Sequence, residues 1–226
     1  SVVNQIKDYI KNRLENLPPD KRARFLDGTW TYFPGACYSN IHEENKIDVE
    51  KNIYHFYDDI VVGVDWGHYM CANIWGIKVR SDCIEAYCIH EIVVLGGVTK
   101  DLITELDKVY GIKEESHILY CDHEPDRILE LQSAGYAAKS AYKDVGAGDS
   151  SVNVFVIYFD NKCDYTYQSM VHLSNQEDPR VPGTFLYAKH IKENDHEADG
   201  ARYALHGWRM DNEMKAGGHH ILGDVI

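Results

Sequence analysis

Apolar residues change their spacing several times along this chain, and each change predicts an element. Val3, Ile6, Ile10 and Leu14 recur at helical intervals over 3–16, and Leu17-Pro18-Pro19 stops that helix. A shorter helix is expected over about 20–27, closed by Gly28. Residues 29–52 carry no period and hold the turn signal Pro34-Gly35, so they read as loop. Residues 1–50 therefore read as a helical linker segment ahead of a domain over 51–226. From Asp59 the pattern becomes strand-like: strands are expected over 59–66, 69–79 and 83–94. Arg80-Ser81-Asp82 joins the last two as an antiparallel hairpin at the sheet edge, beside the first strand. Leu102, Ile103, Leu106 and Val109 predict a helix over 99–109. His117–Tyr120 is a short strand running into Cys121-Asp122. Pro125 suits the first turn of a helix that ends at Ala134-Gly135, and 136–138 is another strand. The order β-β-β-α-β-α-β is an α/β pattern with a mixed sheet. Over 149–159 two patterns compete, an Asp149-Ser150 helix cap and the strand-forming NVFVIYF. Residues 163–168 read as strand, 176–183 as loop, and about 195–210 as a helix with Ala201, Ala204, Leu205 and Trp208 on one side.

Composition narrows the class. The chain of 226 residues suits one main domain with an accessory segment, and no apolar run approaches the ~20 residues that span a bilayer. The amphipathic N-terminal stretch lacks the continuous apolar core of a signal peptide, so a cytosolic protein is expected. Six cysteines never form a CxxC pair and lie in strand-like segments, which favours reduced core thiols over disulfides or a zinc site. The twelve histidines include no HExxH, and His219-His220 sit in a Gly-rich, solvent-exposed tail. A formal charge of −13 excludes a protein that coats nucleic acid with its whole surface. It leaves room for a nuclease, whose metal-binding carboxylates themselves add negative charge.

The chemistry concentrates in acids. The apolar run Val61–Val64 ends on Asp65, which either caps a turn or serves a site. The strand His117–Tyr120 also leads to an acid, Asp122, with Glu124 two residues on. Sites in open α/β sheets form at the carboxyl ends of neighbouring strands, so the two aspartates are candidates for one site. Adjacent like charges raise each other's pKa unless a cation intervenes, and Mg²⁺ takes carboxylate oxygen. A third group, Asp195-His196-Glu197-Ala198-Asp199, opens the last helix. Asp195 and Asp199 share a face, as do His196 and Asp199. Acids in a first helical turn also serve the helix dipole and cap, which explains Asp195 better than Asp199.

With those residues in place, the chain resembles the C-terminal nuclease domain of the large terminase subunit of tailed bacteriophages. The family pattern "vvGvDwG" is matched by Val61–Gly67; an acid, a Pro-containing helix and an "aG" stop by Asp122, Pro125 and Ala134-Gly135. A small residue and a lysine beyond it are matched by Ala141 and Lys143, and "nHaiDAlRYAl" by residues 195–205. The preceding "Lp…r.rlL.G.W" segment is matched by Leu17-Pro18, Arg24, Phe25-Leu26, Gly28 and Trp30. Gly200 stands where the pattern has Ala, and 144–190 fits it poorly. The stretch between Asp122 and Pro125 is about one residue short, which makes Glu124 an alternative ligand.

The resemblance implies a ribonuclease H-like (resolvase/integrase-like) mixed sheet with flanking helices. It implies a metal-dependent endonuclease that cuts double-stranded DNA during viral genome packaging, with two Mg²⁺ or Mn²⁺ ions. Asp65, Asp122 and Asp199 are the expected catalytic metal ligands, with His196 and Glu124 auxiliary; Lys143 faces either the phosphate backbone or the site, or is an ordinary surface lysine. Implied partners are a packaging ATPase domain or subunit, the portal protein and the small terminase subunit, in the host cytoplasm and without a membrane. No GxxxxGK[ST] loop occurs in this chain, so the ATPase is expected on a removed domain or a separate chain. Alternatives are a Holliday-junction-resolvase-like nuclease and a catalytically inactive docking module of a packaging motor. An actin-like phosphotransferase would need a second acidic phosphate loop and a Gly-rich adenosine loop, and neither is evident.

Overall fold

In the computed structural model, residues 35–49, 56–67, 69–109, 113, 117–192 and 195–215 are described. The helices expected over 3–16 and 20–27, the Leu17–Trp30 matches and the His219-His220 tail lie outside them.

The strand that ends on Asp65 is the middle of the design. Strand β2 (Asp59–Trp66) pairs antiparallel with β3 (Met70–Val79), which pairs antiparallel with β4 (Ile84–Val94). On its other side β2 runs parallel to β5 (Ile118–Cys121), and β5 parallel to β6 (Ala137–Ser140). Two further strands complete the sheet, β7 (Phe155–Asp160) and the two-residue β1 (Lys46–Ile47), giving the order β1-β7-β4-β3-β2-β5-β6. A separate antiparallel pair, β8 (Asn175–Glu177) and β9 (Phe185–His190), lies outside it. The helices are α1 (Thr99–Leu106), α2 (Pro125–Ser133), α3 (Val145–Val152), α4 (Asp164–His172) and α5 (His196–Lys215).

Alternation along β2 sorts its side chains. Ile60, Val62 and Val64 join the core under α1 and α2, with Leu102, Leu106, Leu119 and Leu131. Val61 joins the opposite core with Ala201, Ala204, Leu205 and Trp208 of α5. By the two-residue period of a strand, Gly63 and Asp65 face the same way as Val61, toward α5. A Cβ built at Gly63 would overlap the carbonyl of Gly200, so the helix rests directly on the strand backbone. Tyr120 of β5 meets Gly207 in the same manner two turns later. This mixed sheet with helices on both faces is the architecture expected from the sequence.

Four expectations need correction. The β3–β4 hairpin is not at the sheet edge, because β7 adds parallel to β4 and β1 to β7. Residues 163–168 begin helix α4: buried Tyr167, Met170 and Val171 recur at three and four residues, a helical interval. The competition over 149–159 resolves into both elements in succession, and the cap is Asp144, which accepts from the Ala147 amide at 2.7 Å, rather than Asp149. Finally, residues 35–49 belong to the domain: Tyr38 and Ile41 are buried in the α5-side core and β1 extends the sheet, after a short 3-10 turn at Glu43–Asn45. Within 176–183 the chain is strand only to Glu177. Among the described residues no helix is long and apolar enough to cross a membrane.

Candidate metal centre at the ends of the central strands

The parallel pairing of β2 and β5 sets two of the acids side by side. Val64 is in register with Cys121, and the Asp122 amide donates to the Val64 carbonyl at 2.9 Å, so Asp65 and Asp122 leave the sheet at one level. The indole of Trp66 donates to the Asp122 carbonyl at 3.3 Å. Helix α5 supplies the third acid. Asn73 of β3 donates to the Glu197 carbonyl at 2.7 Å, and the Gly63–Gly200 contact seats the first turn, so Asp199 comes within charge range of Asp65.

Asp65 is 5% exposed. Burial and then the charge of Asp199 push its carboxyl up to about 6, against opposing help from His196 and Lys143. His196 Nδ1 lies 2.8 Å from Asp65 Oδ2. Its ring packs on Gly67, where a Cβ would overlap it, and edge-on to Tyr69 at 4.8 Å. Tyr69 in turn donates to buried Glu197 at 2.9 Å, and burial raises the Glu197 carboxyl.

Asp199 is handled differently. Burial opposes its ionisation, but Arg202 and Lys192 outweigh that and hold its carboxyl below the ordinary range. Arg202 donates to Oδ1 at 2.7 Å, and Lys192 to Oδ2 at 2.9 Å while also pairing with Asp195 at 2.7 Å. Lys143 completes the arrangement. It forms an ion pair with Asp122, donates to the Tyr203 hydroxyl at 3.0 Å, and its charge acts on both Asp65 and Asp199. Burial, with Arg202 and Lys192 nearby, lowers its pKa although the acids oppose this.

Asp65, Asp122, Asp199, His196 and Lys143 thus belong to one cluster. Glu124 does not join it: its carboxylate pairs with Arg127 at 2.7 Å, one turn along α2. Sequence reasoning missed Arg202, Tyr203 and Lys192. Arg202 and Tyr203 were legible as residues three and four positions after Asp199, on its face of the helix; Lys192 had no such signal. The donor set fits a hard divalent cation. Three carboxylates and an imidazole suit such an ion, and the carboxyl of Asp65 is raised by burial and then by the Asp199 charge, a repulsion that a cation would relieve.

The sheet order, with β3 antiparallel to its neighbours and acids at the carboxyl ends of β2 and β5, is that of a ribonuclease H-like fold. Among solved structures, the fold is that of large terminase nuclease domains. The nuclease domain of the large terminase (g2p) of bacteriophage SPP1, solved with bound Mn, matches with TM-score 0.57 and 22% identity, over 76% of this chain and 99% of that one. The P22 large terminase nuclease domain matches with TM-score 0.52 and 16% identity, over 80% and 95%. A large terminase from a thermophilic bacteriophage matches with TM-score 0.62 and 17% identity, over 91% of this chain. The chain spans about half of that longer protein, 46% to 57% in two crystal forms. No protein-family model and no curated protein matches the sequence.

Proposed function

We propose that this chain is the nuclease part of a large terminase, a metal-dependent endonuclease that cuts double-stranded DNA during phage genome packaging. The observation that carries the reading is the meeting of Asp65, Asp122 and Asp199, from three separate elements, with Lys143 as the cation between them. Asp65, Asp122 and Asp199 would hold Mg²⁺ or Mn²⁺ in a two-metal site. Bound there, the ions supply an activated water and charge relief for the leaving 3′ oxygen. His196 holds one Asp65 oxygen and is an auxiliary ligand. Arg202 keeps Asp199 ionised and fixed in direction. Lys143, its side chain 43% exposed, is placed to exchange its carboxylate partner for a phosphate oxygen of the substrate. Delivery of DNA falls to a packaging ATPase domain or subunit, with the portal protein and small terminase subunit as further partners in the host cytoplasm.

The test is incubation of supercoiled plasmid with the chain in Mn²⁺, in Mg²⁺ and in EDTA. Nicked and then linear plasmid in either metal, with none in EDTA, is expected. Plasmid that stays supercoiled across the Mn²⁺ series overturns the reading, and cutting confined to four-way junctions would point to a resolvase instead.

A further inference from the structure

A second polar cluster lies within charge range of Arg202 of α5, and the proposed reaction does not use it. Three segments remote in sequence meet there: Cys37 ahead of β1, Asp149 within α3 and His190 at the end of β9. The thiol sulfur, one carboxylate oxygen and one ring nitrogen lie within 4.8 Å of one another. Asp149 and His190 are each 4% exposed, whereas Cys37 is only half-buried and so reachable from solvent. His190 Nε2 lies 2.8 Å from Asp149 Oδ2, and Tyr38 donates to Oδ1 at 3.0 Å. His190 Nδ1 is left buried with no hydrogen-bond partner among the described residues.

We infer that Cys37, Asp149 and His190 form a binding site for one Zn²⁺ ion, separate from the nuclease acids. Sulfur, imidazole and carboxylate are the ligand set of zinc, whereas Mg²⁺ and Mn²⁺ prefer oxygen. Zinc bonds of about 2.0–2.3 Å at tetrahedral angles put ligand atoms about 3.3–3.7 Å apart. Closing the cluster from within 4.8 Å therefore requires shifts of about 1 Å, within the reach of side-chain rotation. A water completes the tetrahedron, as in three-ligand zinc sites.

Charge also balances. The thiol proton leaves to solvent as the sulfur–zinc bond forms, so thiolate and Asp149 carboxylate together neutralise the ion. In the metal-free protein, burial and the Asp149 charge keep that proton in place, with the thiol pushed up to about 12. The Arg202 charge acts against this on Cys37 and Tyr38, and it is offset in part by Asp199, which one guanidinium nitrogen of Arg202 contacts at 2.7 Å. The occupied site would tie the chain before β1 to α3 and β9, close to the helix that carries Asp199.

Cobalt is the probe, because a thiolate–Co²⁺ charge-transfer band in the near ultraviolet requires a sulfur ligand and the nuclease acids have none. Co²⁺ is titrated into the full chain as wild type, Asp65→Asn, Cys37→Ser, His190→Gln and Cys83→Ser, the last removing another half-buried thiol. A band saturating at one equivalent and bleached by Zn²⁺ is expected in wild type, Asp65→Asn and Cys83→Ser. It should vanish in Cys37→Ser and need at least about tenfold more Co²⁺ in His190→Gln. No band in wild type, a band surviving Cys37→Ser, or unchanged affinity in His190→Gln overturns the inference. Because the band is read in Asp65→Asn as well, its presence or absence is independent of whether the chain cuts DNA.

Discussion

Replacing Asp65 with asparagine should make the protein more stable at neutral pH while abolishing cleavage. In the unfolded chain this carboxyl titrates near 3.8; in the fold, burial and then Asp199 move it to about 6. That difference is worth about 3 kcal/mol. Between the two values the native state holds a proton that the unfolded state has released, so stability falls as pH rises through this window. Below 3.8 there is no cost, and above about 6 the cost is complete. Asparagine cannot ionise, so Asp65→Asn should gain on wild type as pH increases. About half of the 3 kcal/mol develops between pH 5 and pH 8, which for a domain of this size is about 3–6 °C in Tm. The measurement is urea and thermal unfolding of both proteins in EDTA at pH 5, 6.5 and 8, beside plasmid nicking in Mn²⁺. Mn²⁺ should raise the wild-type Tm and lose that effect in Asp65→Asn, because an amide is a poor ligand for a hard cation. A variant less stable by the same amount at every pH, with nicking intact, would show Asp65 to be scaffolding and refute the reasoning.

Asp122→Asn and Asp199→Asn should match Asp65→Asn in losing plasmid nicking, whereas Asp195→Asn, which gives up only one of the two carboxylates shared by Lys192, should stay active. Gly63→Ala should lower the free energy of urea unfolding by about 1–3 kcal/mol or more, because its Cβ meets the backbone carbonyl of Gly200 and nothing flexible can yield. Gly200→Ala should cost less than Gly63→Ala, about 1 kcal/mol, since its Cβ comes to 3.0 Å from the side-chain amide of Asn73, which is buried and held by Glu197 and Trp75 but is not backbone. With a net charge of −13, DNA binding without metal should be weak and steeply salt-dependent in an anisotropy titration. Tight binding that ignores KCl would contradict the view that delivery depends on a separate motor.

The strands that build the site were legible because their signals are local. Val61–Val64 and His117–Tyr120 are apolar runs, each ending in an acid, and a parallel sheet turns two such ends into neighbours. Lys143 stands beside the acids, in an ion pair with Asp122, as its position after β6 allowed. What stayed hidden depends on contacts between distant segments. Nothing in residues 35–49 signals that β1 pairs with β7, because two residues carry no period. The aromatic residues Tyr165 and Tyr167 mimic a strand, and only packing of Tyr167, Met170 and Val171 into the core decides for a helix. Cys37, expected to be a plain core thiol, meets Asp149 and His190 only through the tertiary fold, so ligand spacing in sequence was uninformative.

The distribution of cations around the acids explains how three carboxylates are stored in one place before a metal arrives. Asp122 has Lys143, and Asp199 has Arg202 and Lys192. Asp65 has His196 in direct contact, with Lys143 acting through space, and burial followed by the Asp199 charge pushes its carboxyl up, whereas Arg202 and Lys192 hold that of Asp199 down. If the proposed function holds, a cation would relieve Asp65, whose carboxyl is buried and pushed up. The glycines serve that same residue. Gly63 lets α5 approach so closely that Asp199 comes within charge range of Asp65, and Gly67 admits the ring of His196. A side chain at either position would separate the groups whose mutual repulsion makes the site receptive to a cation. The local instability at Asp65 is thus built by the packing, and the stability of the surrounding two-sided core is what allows it to persist.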